Sequence, residues 1–209
     1  MENKTSKFLT VRMLVTIAVL AALATLVMAL KIPLPIFPSF YKIEVSDAIV
    51  LVGAYALGPV AGVVIEAVKV LLNFAIDGTV TAGIGELSNF VMGCSFILPG
   101  AILYRRNRTR KTALIGSLLG VVSMLVVSAL MNYFVLIPAY AAAFGGMGNV
   151  LGAAAKVNGG IADMKTLVLF ATVPFNAIKA VLNTLIVLLL YKHVSRFLKA
   201  GDKKRKPGA

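Results

Sequence analysis

The chain has 209 residues, of which 59% are hydrophobic and 14% are charged, and its formal net charge at pH 7 is +13. A soluble domain carries about 25% charged residues, so this composition excludes an ordinary soluble domain. Apolar runs of about 20 residues recur along the chain, and such a run is long enough to cross the hydrocarbon core of a bilayer. Because the runs are continuous rather than alternating with period two, the sequence predicts an all-α integral membrane protein.

Six transmembrane helices are predicted in a single domain that extends over residues 1–209, with irregular, partly lid-like loops on the outer side. The approximate bounds are 8–30, 46–57, 60–76, 85–104, 112–138 and 165–192. The first helix ends before Pro33, Pro35 and Pro38, which favour irregular backbone in the segment that follows. The second helix is short and stops at Gly58-Pro59.

The positive charges are concentrated in three segments, which together hold fifteen of the 21 Lys and Arg residues. They precede the first helix, connect the fourth and fifth, and follow the sixth, so six crossings place all three on one side. The positive-inside rule makes that side cytoplasmic, which predicts cytoplasmic termini and a basic tail at about 193–209 in a bacterial cell membrane. We attribute the basic charge to this topology and to contact with anionic lipid, not to binding of nucleic acid.

In the first helix, Ala18 and Ala22 are four residues apart and Ala21 adjoins them. Small residues at this spacing form a flat strip that another helix can approach closely, which makes these alanines a candidate interface with a partner. Gly116 and Gly120 in the fifth helix fit the same spacing. For the glycines, packing inside the bundle is an equally good interpretation.

The outer segment at 31–45 combines three aromatic residues, Phe37, Phe40 and Tyr41, with the charged residues Lys42 and Glu44. Aromatic rings at a membrane mouth commonly serve as interfacial anchors. Held by prolines on irregular backbone, they are also suited to close over a flat ligand. The segment is therefore a candidate lid.

Three acidic residues occur in or beside the next helices. Asp47 is well placed to cap the second helix. Glu66 and Lys69 are three residues apart on the third helix, which predicts an ion pair inside the bundle. Glu86 lies in the first turn of the fourth helix, where the helix dipole favours a carboxylate, so both capping and ligand contact are open for it.

The fifth helix and the segment after it provide two further candidates. Asn132 lies in the outer half of the helix and is either a ligand contact or a bridge between two helices. The segment at 139–164 faces outside together with 31–45 and 77–84. Its small residues predict a flexible chain, and Tyr140 makes it a candidate second lid.

The sixth helix carries Asn176, Lys179 and Asn183 on one face of an apolar stretch. A lysine at membrane depth costs about 2.5–3.5 kcal/mol on insertion scales, so a partner inside the bundle is expected. An amide can donate and accept while an ammonium only donates, a combination suited to a carboxylate or to a planar heterocycle with an imide edge.

Two further expectations concern this helix. Pro174 cannot donate to the carbonyl of Phe170 and is expected to bend the helix. The alternative to a ligand site is a hydrogen-bonded clamp between helices, with Lys179 paired to Glu66 or Glu86.

Several kinds of site are not expected. The sequence lacks the G-x-x-x-x-G-K-[ST] loop of P-loop ATPases. His193 is the single histidine and Cys94 the single cysteine, so neither a Ser/His/Asp set nor a metal site is predicted. We expect a binding protein without a cofactor or enzymatic activity, which takes its energy from elsewhere.

Three stretches resemble a known family: "PLPIFPSFYKIEVSDAIVLVGAYALGPVAGVVIEAVK", "GELSNFVMGCSFILPGAILYRR" and "VPFNAIKAVLNTLIVLLLYK". They are similar to the riboflavin-specific substrate-binding (S) components of energy-coupling factor transporters. The resemblance implies six membrane helices, capture of the vitamin from outside, and docking on a membrane coupling subunit driven by two cytoplasmic ATPases.

The resemblance also implies roles for individual residues. Asn176 and Lys179 are expected to hydrogen-bond the pyrimidine edge of the flavin ring, with Asn132 as a second asparagine. The segment from Phe40 to Glu44 helps to enclose the ligand, and Glu44 or Glu86 takes the ribityl hydroxyls. Ala18 and Ala22 match an alanine motif that meets the coupling subunit.

Three alternatives stay open at this point. In the first, the ligand is another vitamin or heterocycle. In the second, the chain is a self-sufficient transporter that uses Glu66, Glu86 and Lys69 as a proton path. In the third, it is a structural membrane subunit. In the flavin hypothesis, replacing Lys179 with Met lowers ligand affinity and leaves the fold largely intact.

Overall fold

The computed structural model describes residues 11–203 and the side chains of residues 11–190. The helices in this part of the chain are α1 (Val11–Ala29), α2 (Ser46–Leu57), α3 (Pro59–Asp77), α4 (Ile84–Arg106), α5 (Arg110–Met131), α6 (Ile137–Ala143), α7 (Met147–Ala155), α8 (Met164–Leu167) and α9 (Val173–Lys203). Two π-helical segments make longer continuous helices: π1 (Asn132–Leu136) joins α5 to α6, and π2 (Val168–Thr172) joins α8 to α9.

Five apolar helical stretches in the described residues are long enough to cross a membrane. They are Val11–Ala29, Pro59–Asp77, Ile84–Arg106, Arg110–Ala143 and Met164–Leu190. The second predicted helix corresponds to α2, which has 12 residues and a length of about 18 Å, shorter than the hydrocarbon core. It nevertheless contacts α1, α3, α4 and α9, so the shortest predicted helix lies in the middle of the bundle.

The break between α2 and α3 has a local cause. Gly58 has a φ of +106°, a conformation that side chains with a Cβ rarely adopt, and its N–H donates to the carbonyl of Ala54 at 2.8 Å. Pro59 then occupies the first turn of α3, where its missing N–H would have had no partner within the helix. Two apolar helices can therefore follow one another with a single residue between them.

The segment after α1 is more regular than its prolines predicted. Ile32–Pro33 (β1) pairs in antiparallel register with Lys42–Ile43 (β2). Turn hydrogen bonds from Phe37 N–H to the Leu34 carbonyl and from Tyr41 N–H to the Pro38 carbonyl fold the residues between the strands. The result is a small hairpin, and we call the segment at 31–45 that contains it loop 1.

The segment at 139–164, predicted to be flexible, is mostly helical. α6 extends to Ala143, α7 follows, and a capping box between Asp163 and Thr166 starts α8. Val150 and Ala154 give α7 an apolar face, which packs in a cluster with Phe37 of loop 1. This buried contact explains why small residues adopt a fixed structure here.

Several boundaries differ from the predicted ones. α9 continues to Lys203, beyond the predicted end at 192, so the basic tail begins within a helix. Residues 8–10 of the predicted first helix and 204–209 of the tail lie outside the described residues.

The small residues of α1 and α5 lie in different environments. Ala18 and Ala22 are exposed on the surface of α1, whereas Ala21 is fully buried in the main hydrophobic core. The inclusion of Ala21 in an exposed strip is therefore wrong. On α5, a Cβ at Gly116 would lie 2.8 Å from the Cα of Gly100, so the glycine spacing serves close packing against α4.

Candidate functional site

A cavity of about 620 Å³ lies between loop 1, α4, α7 and the long helices. This volume is in the range of small-molecule sites. Eight of the nine residues predicted to contact a ligand line it: Phe40, Tyr41, Lys42, Glu44, Glu86, Asn132, Asn176 and Lys179.

Asn176 and Lys179 form one end of the cavity, one turn apart on α9. Both are buried, and the Nδ2 of Asn176 donates to the carbonyl of Thr172 at 2.9 Å. Asn132 faces the same cavity from the start of π1, where its Nδ2 donates to the carbonyl of Ser128 at 2.8 Å. The bonds to the preceding helical turn fix the orientation of both amides.

Lys179 has acidic partners other than those considered in the clamp hypothesis. Its Nζ lies 2.7 Å from Glu44 Oε1 and 3.3 Å from Asp47 Oδ2, so pairing with Glu66 or Glu86 is wrong. Glu44 comes from loop 1, which places an ion pair between the candidate lid and α9. Burial alone would raise the pKa of Glu44, but the ammonium groups of Lys179 and Lys69 together outweigh this effect and lower the pKa below its ordinary value.

The ion pairs continue away from the cavity. Lys69 Nζ lies 2.6 Å from Asp47 Oδ1 and 2.8 Å from Glu66 Oε2, and the second contact confirms the ion pair predicted within α3. We call Glu44, Asp47, Glu66, Lys69 and Lys179 the charge cluster. Asp47 is shared by the two lysines.

The assignment of Asp47 as a helix cap is wrong. The N-cap position of α2 is occupied by Val45, whose own side chain makes no capping hydrogen bond. The Asp47 carboxylate is instead buried against the two lysines, since these ammonium groups need counter-charges inside the bundle. Glu44 Oε2 accepts the N–H of Ser46 at 2.7 Å and so satisfies one amide at this helix start.

Asn183 does not line the cavity, unlike the other predicted ligand contacts. Its Oδ1 accepts the N–H of Ala48 at 2.7 Å, and its Nδ2 donates to the carbonyls of Lys179 at 3.0 Å and Glu44 at 3.3 Å. These bonds use the amide to join α9 to loop 1 and α2. The prediction that Asn183 contacts a ligand is therefore corrected to a structural role.

Aromatic rings form one wall of the cavity. Their centroids are 5.6 Å apart for Phe144 and Tyr140, 5.2 Å for Tyr140 and Phe40, 4.8 Å for Phe40 and Tyr41, and 5.0 Å for Tyr41 and Phe175. All five rings line the cavity, and we call them the aromatic wall. Phe144 and Phe175 were not among the predicted contacts, although Phe175 directly precedes Asn176 in the sequence.

The Tyr41 hydroxyl connects loop 1 to both π segments. It is hydrogen-bonded to Thr172 Oγ1 at 2.5 Å and donates to Asn132 Oδ1 at 3.2 Å. Burial raises the pKa of Tyr41 well above its ordinary value, so the phenol stays protonated at neutral pH. Loop 1 is thus attached to the two long helices next to the predicted ligand amides.

The π segments themselves adjoin prolines. The N–H of Ile137 donates to the carbonyl of Asn132, and the N–H of Val173 donates to that of Val168, each five residues back. Pro138 and Pro174 follow immediately and have no N–H to donate. A bend was predicted at Pro174, but the equivalent arrangement in α5 and α6 was not predicted.

A more exposed, polar part of the cavity lining contains Glu86 and Lys31. Glu86 Oε2 accepts the hydroxyl of Thr79 at 2.9 Å, and Lys31 forms an ion pair with Asp77 at 2.5 Å. Asn73 also lines the cavity but was not predicted to, although it lies two turns from Glu66 on α3. This spacing places Asn73 on the same face of α3 as Glu66, so the sequence alone could have indicated it as a candidate.

The chain is similar to known proteins along nearly its whole length. A family model described as "ECF transporter, substrate-specific component", where ECF denotes energy-coupling factor, matches residues 12–191. The riboflavin transporter RibU of Staphylococcus aureus is 31% identical over 186 residues, which cover 89% of this chain and 92% of that protein. The riboflavin transporter FmnP of Bacillus subtilis is 31% identical over 182 residues, covering 87% and 90% of the two chains.

A solved structure of the S component of a bacterial ECF transporter superposes on this chain with a TM-score of 0.72 and 30% sequence identity. The match covers 90% of this chain and 98% of the solved one. Together with the five long apolar stretches, it confirms the prediction of an all-α membrane protein.

Proposed function

The chain belongs to the substrate-specific components of ECF transporters, and we propose that the substrate it captures is riboflavin or a closely related flavin. In this proposal the multi-pass chain lies in the bacterial cell membrane with both termini in the cytoplasm. It takes the vitamin from outside and delivers it through a membrane coupling subunit and two cytoplasmic ATPases. The names of the two relatives support the choice of vitamin.

The observation that carries the proposal is the aromatic wall beside the polar set of Asn132, Asn176 and Lys179. The isoalloxazine ring of a flavin is planar and aromatic, so its faces suit stacking against aromatic side chains. Its pyrimidine edge presents a carbonyl, an imide N–H and a second carbonyl. A site for it needs hydrogen-bond donors and an acceptor in one plane next to an aromatic surface.

The hydrogen-bonding capacity of the polar set matches this edge. Asn176 uses one N–H on the carbonyl of Thr172, which leaves its second N–H and its oxygen for a ligand. Lys179 has three N–H donors and two ion-pair partners, so one donor remains for a flavin carbonyl. We therefore assign the imide edge to Asn176 and Lys179 and place Asn132 beside them.

The ribityl chain is assigned to the more exposed part of the cavity. Glu86 and Lys42 line this part and offer acceptors and donors to hydroxyl groups. Glu44 is a weaker candidate than the sequence implied, because Lys179 and the N–H of Ser46 already occupy its two oxygens. Phe40 and Tyr41 cover the ring from loop 1.

The exposed alanines of α1 are assigned to the coupling subunit. The small side chains of Ala18 and Ala22 project little from the helix surface, and the neighbouring Leu14 and Val15 are exposed as well. A helix of a membrane partner can approach such a surface closely. Ala21, which faces the core, supports this surface from within.

The first test is titration of the detergent-purified chain with riboflavin, measured by quenching of flavin fluorescence. We expect saturation at one flavin per chain, and binding at least about tenfold weaker for a flavin methylated on the imide nitrogen, because that ligand lacks the imide N–H. Thiamine, pantothenate and folate serve as competing vitamins. Unquenched flavin, or displacement by another vitamin at lower concentration, would reject the flavin assignment.

The second test concerns the energy source. Proteoliposomes that contain only this chain should bind riboflavin without accumulating it, with or without a proton gradient. Addition of the coupling subunit and ATPases with internal ATP should produce accumulation. Uptake by the chain alone under a proton gradient would instead support a self-sufficient transporter.

A further inference from the structure

The charge cluster contains one more acid than base. Three carboxylates and two ammonium groups belong to residues that are each at most 7% exposed, so ionisation of all five leaves one buried negative charge. An uncompensated charge inside a membrane protein costs several kcal/mol. The cluster therefore has a physical reason to bind a cation or a proton.

The groups around the cluster do not supply the missing positive charge. Lys42 and Glu86, which line the cavity, have opposite charges, and Lys31 is paired with Asp77. Cys94 of α4 lies near Glu66, and its thiol is neutral at pH 7 at its ordinary pKa. The phenols around the cavity, of Tyr41 and Tyr140, are neutral for the same reason.

The cluster also has one carboxyl oxygen at which a proton displaces no hydrogen bond. Glu66 Oε1 occupies the space that a Cβ at Gly93 on α4 would fill, and it accepts no hydrogen bond. Protonation at this carboxyl weakens one contact with Lys69, which keeps its 2.6 Å contact with Asp47. Because the groups are linked through shared lysines, the proton belongs to the cluster as a whole.

The cluster reaches the cavity at one end. Glu44 and Lys179 line the cavity, whereas Asp47, Glu66 and Lys69 do not. A ligand that fills this end displaces water from Glu44 and Lys179. Removal of water disfavours net charge, and a neutral ligand brings no compensating charge.

We propose that the charge cluster is a proton-binding site and that it takes up a proton when a neutral flavin fills the cavity. The proposal rests on the flavin assignment made above. Its consequence is linkage: capture of the ligand is accompanied by uptake of a proton, and affinity increases as the pH falls.

Isothermal titration calorimetry with riboflavin tests this proposal on the full-length chain in detergent. Titrations at one pH in buffers of different ionisation enthalpy should give a binding enthalpy that rises with the ionisation enthalpy. The slope should approach about one proton per flavin, and the affinity should rise by up to about tenfold per pH unit towards acid.

Two variants locate the proton. Asp47→Asn in α2 and Glu66→Gln in α3 each remove one carboxylate, so that acids and bases in the cluster are equal in number. Either variant should bring the slope of binding enthalpy against buffer ionisation enthalpy close to zero. Asp163→Asn is the matched control, because Asp163 is an exposed carboxylate outside the cluster and asparagine also caps helices. Its slope should equal that of the unmodified chain.

The outcomes separate this proposal from the flavin assignment. Flavin binding with an enthalpy independent of the buffer overturns the proton site and leaves the flavin site standing. A slope that persists in both cluster variants overturns the assignment to the cluster. Absence of both heat and fluorescence quenching overturns the flavin assignment and the linkage with it.

Discussion

Asn176 and Asn183 lie two turns apart on one face of α9, but their amides have different neighbours. Asn176 lines the cavity, whereas Asn183 bonds backbone groups of loop 1 and α2. Replacing each with Ala therefore separates ligand binding from stability. We expect Asn176→Ala to act on affinity and Asn183→Ala to act on the fold.

The magnitudes follow from the bonds that each change removes. Asn176→Ala deletes two proposed hydrogen bonds to the flavin, about 1–3 kcal/mol in total, which corresponds to binding about 5- to 150-fold weaker. Asn183→Ala leaves the N–H of Ala48 and the carbonyl of Glu44 without their amide partner in a buried site. Unsatisfied buried groups cost about 1–3 kcal/mol each, so a loss of about 2–6 kcal/mol in stability is expected for the two groups together.

Two measurements on the same detergent preparations test the pair. Flavin fluorescence titration gives the dissociation constant, and thermal unfolding without ligand gives the stability. Asn183→Ala should unfold at a clearly lower temperature and, where folded, bind flavin within a few-fold of the unmodified chain. Equal losses of affinity in the two variants, or an unchanged melting temperature for Asn183→Ala, would refute the division of roles.

Three further changes test other parts of the structure. Lys179→Met should weaken flavin binding and, contrary to the sequence-based expectation, destabilise the apo chain by about 3–5 kcal/mol, since two buried carboxylates lose their shared ammonium. Adding Asp47→Asn should recover part of that stability, and purely additive melting temperatures would contradict the cluster. Tyr41→Phe keeps the ring but removes the hydrogen bonds from its hydroxyl to both π segments. Flavin should then dissociate about fivefold faster in stopped-flow fluorescence, as expected for a loss of about 1 kcal/mol. An unchanged dissociation rate would contradict the attachment of loop 1 to the π segments. Gly120→Ala places a Cβ against the Phe96 carbonyl and should lower the melting temperature, whereas Gly152→Ala in α7 has nothing within 4 Å and should keep or raise it; equal shifts would contradict the close packing of α4 and α5.

The positions of the long helices could be predicted because the bilayer requires apolar runs of a set length. The polar face of α9 was also visible, since Asn176 and Lys179 interrupt such a run at helical spacing. The partners of Lys179 were not visible. Glu44 lies 135 positions earlier in a segment that looked irregular, and nothing in local spacing favours it over Glu66 or Glu86.

The segment at 139–164 shows a second limit of the sequence. Its small residues predicted flexibility, because local composition says nothing about the apolar surface that loop 1 offers to α7. Asn183 was assigned to the ligand for a related reason. Its spacing from Asn176 places it on the same face of the helix, but it lies too deep along the axis to reach the cavity.

Because of the two π segments, the rotation of the residues that follow each of them about the helix axis depends on the number of residues in the segment. Each segment accommodates one residue more than an α-helical turn, and one residue corresponds to about 100° of rotation about the helix axis. Deletion of a single residue within Val168–Thr172 would turn the face carrying Asn176 and Lys179 away from the cavity while leaving every contact residue in the sequence. Relatives that differ by one residue at this point could thus diverge in substrate through an insertion or deletion, a route to new specificity that comparison of aligned binding residues would overlook.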